Sequence, residues 1–130
     1  MPELDAQLLA LRPPLLLSEA DSPMANFQNQ TLRPILKLLH PRFIYLAQDY
    51  LQRQGVQWEN FSSEKQRSYL DTMLRQQTDF KFLLIGLVSG HFTQAELVFF
   101  CAHRNEIVRR MVAFLSKRLY EGLLLTYGKS

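Results

Sequence analysis

The sequence predicts an all-α fold: a bundle of four main helices with a long C-terminal helix and an irregular N-terminal arm. Three observations point there. Apolar residues recur at spacings of three and four through most of the chain, no segment sustains the alternation of a half-buried strand, and Gly, Pro and Ser/Thr stand where helices would begin and end. At 130 residues the chain is long enough to enclose one hydrophobic core. Cys101 is the only cysteine, so disulfides within the chain and paired-cysteine metal sites are excluded, and its place in FFCAH reads as a buried, inert thiol.

Residues 1–26 differ in character from residues 27–130, and we divide the chain there into an arm and a single helical-bundle domain. The arm holds four of the six prolines, Pro2, Pro13, Pro14 and Pro23. It carries four acids and Arg12, a balance of −3, which leaves +6 of the net +3 on the body. MANFQNQ from Met24 reads as an alternative start, which would make the arm dispensable to the fold. LLALRPPLLL is nevertheless too apolar to stand in water without cost and is expected to pack on the body or on another chain. Glu3 and Asp5 occupy positions where a secretory signal would be positive. The longest later apolar run, FLLIGLVSGHF, has 11 residues, far short of the ~20 that cross a bilayer. The expectation is a soluble, cytoplasmic protein.

The first body helix is carried by Leu32, Leu36, Leu39, Phe43, Leu46 and Tyr50. Pro41 lies inside this stripe and predicts a kink or a split at His40, and Gly55 supplies the stop. Phe61-Ser62-Ser63-Glu64 opens the second helix, with Leu70, Met73 and Leu74 inward. Thr78 is expected to cap the third, DFKFLLIGLVS, whose apolar character on nearly every side predicts burial all round. The last helix is expected from Gln94 to Leu125 on the stripe Leu97, Cys101, Val108, Met111, Leu115 and Leu119, which Arg104 interrupts.

The corner SGHFTQAEL reads as a helix junction. Thr93 and Glu96 form a capping box, Phe92 and Leu97 a hydrophobic staple, and Gly90 a left-handed terminus, which leaves His91 without a structural duty. The Gly86/Gly90 spacing is read as close helix packing followed by a terminus.

Chemistry-bearing residues are sparse. Glu96, His103 and Glu106 follow at spacings of seven and three, and with His91 they would offer two imidazoles and two carboxylates. His91, His103 and Glu96 are therefore the catalytic candidates, and His91, His103 and Glu106 the ligands for a divalent metal, although no cofactor is expected. H-E-x-x-H, the Glu-x-x-His pairs of di-iron bundles, G-x-S-x-G, a phosphate loop and a dinucleotide fingerprint are all missing from the sequence. Arg104, on an apolar stripe, calls for a partner, either Asp79, Glu96 or an anionic ligand. Arg33, Lys37 and His40 share a face and would form an anion-binding cleft if they met the His91 corner.

The leading functional reading is a non-enzymatic interaction module forming a homo-oligomer, most simply a dimer, through the C-terminal helix and the arm. The runner-up is a binding protein for a small anion or metal, or a hydrolase-type enzyme, using His91, His103, Glu96 and Arg104. Nucleic-acid binding through the basic C-terminal helix ranks third, because Arg109 points about 100° away from Arg110, Lys117 and Arg118 on a helix of 3.6 residues per turn.

Overall fold

A computed structural model describes residues 2–15 and 20–126, and among these residues the secondary structure is entirely helical. Helix α1 spans Pro2–Leu11, α2 Pro23–Phe27, α3 Arg33–Arg53, α4 Ser63–Gln76, α5 Thr78–Ser89, α6 Gln94–Ala102 and α7 Arg104–Thr126. A π-helical turn, Gln28–Leu32, joins α2 to α3, and a 3₁₀ turn, Trp58–Asn60, precedes α4. Helices α3 and α4 each pack against α5 and α7, and the core lies between these four.

The first body helix begins earlier than its apolar stripe. The Ser22 hydroxyl accepts from the Ala25 N–H, and Pro23 takes the first helical position, where its missing donor costs nothing. The wide π turn then carries the chain into Pro34, which has no N–H to give the preceding turn. Helix α3 runs unbroken through Pro41, so the chain is not split at His40. Both Pro41 and Lys37 are exposed, and the Lys37 carbonyl that lacks Pro41 as a donor can be hydrated. The buried stripe also drifts: Leu32, Leu36, Leu39 and Phe43 are in the core as expected, but Ala47 and Leu51 replace Leu46 and Tyr50, which are half-buried. At Gly55, with φ +69°, the Gly55 N–H bonds the Gln52 carbonyl and the Val56 N–H bonds that of Leu51, a complete Schellman stop.

Trp58 is fully enclosed, its carbonyl accepting from Gln66 Nε2 at 3.0 Å. Ser62 caps α4, which buries Leu70, Met73 and Leu74. Thr78 does not cap α5: Gln77 holds that position, its carbonyl accepting the Lys81 N–H. Nor is α5 buried all round. Phe80, Leu84, Ile85 and Val88 face inward, while Phe82 and Leu83 remain 52% and 48% exposed. Space is also open at Gly86, where an added Cβ would meet nothing within 4 Å. Gly90 ends α5 in ordinary right-handed geometry, φ −63° and ψ −15°.

The expected single C-terminal helix breaks at His103, where φ is −127° and ψ 33°. A continuous helix would have carried Cys101 and Arg104 into the apolar seam. The break turns α7 so that Ile107 and Leu123 join Met111, Leu115 and Leu119 of the expected stripe in the core, while Leu97 and Val108 are only half-buried. Cys101, read as a buried thiol, stays in water with Arg104. Close contact between α3 and α7 depends on Gly122, where a Cβ would overlap Ile44.

The arm is not irregular through its first part: Pro2–Leu11 is helical, with acids in the first turn at Glu3 and Asp5 and no buried residue. Leu15 and Ala20 lie on either side of the portion of LLALRPPLLL and SEADSP that falls outside the described residues.

Candidate functional site

The capping box at the opening corner forms as read from sequence: Thr93 accepts from the Glu96 N–H, and Glu96 accepts from the Thr93 N–H at 2.8 Å. Glu96 does more than cap. Its carboxylate also takes both terminal nitrogens of Arg12, one at 2.9 Å, and the Thr31 hydroxyl at 2.7 Å from the π turn. Arg12 reaches the His91 carbonyl at 3.1 Å, and Asp5 accepts the Gln94 N–H at 3.1 Å. Burial pushes the Glu96 carboxyl up, but the bonds from Arg12, Thr93 and Thr31 outweigh it and hold the group below the ordinary carboxylate value. The corner is thus the clamp that ties α1 to the start of α6. Arg12 and Thr31 were missed from sequence. The available signal was that Arg12 is the arm's only cation, set in an apolar run.

The remaining predicted residues are dispersed. His91 Nδ1 lies 2.8 Å from the Leu87 carbonyl. His103 stands exposed at the opposite end of α6, about 14 Å away by helix rise, with its ring 4.4 Å from that of Phe99. Glu106 bonds Arg110 at 2.8 Å. Among the described residues no group of three or more His, Cys, Asp or Glu gathers as a metal-ligand set. Arg104 meets neither Asp79 nor Glu96. It lies over the Phe100 ring at 5.7 Å and approaches Cys101 Sγ at 3.6 Å.

Arg33 and His40 meet α7 and not the His91 corner. Arg33 lies 4.9 Å over the Phe114 ring and bonds Asn29 at 3.3 Å, and Arg118 Nη1 is 3.3 Å from His40 Nδ1. Burial, then Arg118, lowers the His40 pKa, with Glu121 opposing. Arg118 is itself lowered by burial and by Arg33, against Glu121. Lys37 is exposed beside them.

A cleft of about 700 Å³ opens between α4, α5 and α7. Its apolar lining is Phe82, Val108, Val112 and Ala113. Arg75 and Lys81 stand on the α4/α5 side and Arg104 and Arg109 on the α7 side. The one carboxylate is Asp71, which accepts the Ser116 hydroxyl and lies 3.9 Å from Arg75. Among the described residues, Lys81, Arg104 and Arg109 have no carboxylate within ion-pair distance. The arrangement is an apolar trough with cationic walls, suited to a ligand that is apolar along its middle and negative along its edges.

No protein-family model, curated protein or solved structure matches the chain. No described helix is long and apolar enough to cross a membrane.

Proposed function

We propose that the protein is a non-catalytic interaction module that self-associates, most simply as a dimer. The observation that carries this reading is α1. It is a helix of ten residues with four leucines and no buried residue, fixed to the body by a nearly enclosed ion pair, and it leaves Leu4, Leu9 and Leu11 50%, 51% and 54% exposed. A buried charged clamp is a costly way to hold a helix that encloses none of its own side chains fully, and it makes sense where the held helix is needed for contact with another chain. Covering the remaining halves of three leucines would contribute about 3 kcal/mol. Native mass spectrometry and sedimentation of the full chain test this: a dimer is expected, and a strict monomer at high micromolar concentration overturns it.

A second reading rests on the Arg33, Lys37, His40 and Arg118 cluster, where Glu121 is the one carboxylate whose charge is felt and no ion pair forms among the described residues, so that the excess of cations suits a small oxyanion. Titration with inorganic phosphate would raise the melting temperature, and Arg118→Met would abolish the rise. No shift in the unmodified protein removes this reading.

A further inference from the structure

We infer that the α4–α5–α7 groove receives helix α1 of a second copy of this chain. The inference rests on the self-association proposed above and names its contact. Helix α1 presents an exposed Glu3 and no cation between Pro2 and Leu11, its second acid, Asp5, being held by the Gln94 N–H, while the groove sets Arg75, Lys81, Arg104 and Arg109 against Asp71 alone. Leu4 and Leu11, seven residues apart, share a side of α1 that Glu3 flanks, matching an apolar floor walled by cations. The lengths agree as well. Ten helical residues span about 15 Å, and the stretch of α7 from Arg104 to Ser116 that borders the groove spans about 18 Å.

The groove is not filled by the helix of its own chain. No residue of α1 lines it, and Arg12 and Asp5 fasten α1 at the start of α6, while the groove begins beyond the end of α6 at Arg104. A helix presented at one site and a complementary groove at another form a contact that two copies can exchange reciprocally, closing a two-fold dimer. The same clamp gives the exchange its rigidity, because α1 is held in place before binding and little ordering remains to oppose association.

The test is a charge-swap mixing experiment on the full chain, read by sedimentation and native mass spectrometry. One variant carries Arg104→Glu and Arg109→Glu in the groove, and the other Glu3→Arg on α1. All three side chains are exposed, so unchanged circular dichroism and melting temperature are expected and serve as the folding control. Each variant alone should dimerise about tenfold or more weakly than the parent, because like charges then face one another at both contacts. Their mixture should recover a heterodimer, since both contacts are again of opposite sign. Phe82→Ser, which removes the exposed ring from the floor, should weaken the parent dimer without charge change. A parent that self-associates while both charge variants associate equally well overturns the groove contact and leaves self-association standing. A monomeric parent overturns both.

Discussion

The Arg12–Glu96 corner and the α4–α5–α7 groove are both built from charge beside apolar side chains, and they resolve it in opposite ways. At the corner one guanidinium meets one carboxylate, with side-chain exposures of 9% and 17%, and Thr31, Thr93 and the His91 carbonyl take up most of what remains. In the groove Lys81, Arg104 and Arg109 have no carboxylate within ion-pair distance among the described residues, and the Phe82 ring stays half in water. An enclosed pair fixes geometry within the chain, here with Arg12 Nε alone of the guanidinium nitrogens left without an acceptor. An unsatisfied, open set costs little while hydrated and gains only when something negative arrives.

Breaking the corner should therefore have the largest effect on stability. Arg12→Met leaves the Glu96 carboxylate largely enclosed without its cation and is expected to cost about 3 kcal/mol, read from the urea midpoint, with faster hydrogen exchange across α1. Glu96→Gln keeps the shape and some of the bonds but strands the guanidinium, and should cost about 2 kcal/mol by the same measurement. Gly122→Ala probes the α3–α7 contact away from both regions. Overlap with Ile44 should outweigh the gain in helix propensity and destabilise by about 1 kcal/mol in thermal melts.

Acid should separate the two regions further. Glu96 titrates below the ordinary carboxylate value in the folded chain, so its contribution is fully present above that value and is lost as pH falls through the lowered one. His40 acts in a higher window. Its folded pKa lies below the ordinary 6.5, so the unfolded chain binds the proton more readily, and stability falls as pH drops from that value towards the folded one. Urea midpoints measured across pH should show both slopes, the upper one vanishing in His40→Gln and the lower one in Glu96→Gln. The smallest effect on stability belongs to the groove: Arg104→Ser and Arg109→Ser should each shift it by less than about 0.5 kcal/mol, leaving their consequence in association alone.

What was legible in the sequence follows from the range of each interaction. The Thr93/Glu96 box, the Ser62 cap and the Gly55 stop are closed by residues within a few positions of one another, and all three form. The early start of the first body helix was missed, since the division at residue 26 places Ser22-Pro23 in the arm, although a cap followed by a proline at the first helical position is a local signal for it. The candidate sites were not legible, because each depended on distant segments. Glu96 had a local duty that concealed three further donor groups, two of them on Arg12 from 84 residues away. Arg104 was placed on the seam only because the helix was carried straight through His103.

Two elements show where sequence ends and tertiary structure begins. By itself the sequence determined that the chain is helical and where many of its helices start and stop, because period and caps act over one or two turns. It also determined that the arm is acidic and apolar while the body is basic. Only the tertiary structure decided which apolar residues of α5 reach the core, since burial depends on what packs opposite each side of a helix, and α3, α4 and α7 leave Phe82 and Leu83 at the surface. It decided equally that the chain breaks at His103, where burying Ile107 and Met111 while keeping Arg104 hydrated requires a turn of the helix that no local signal specifies.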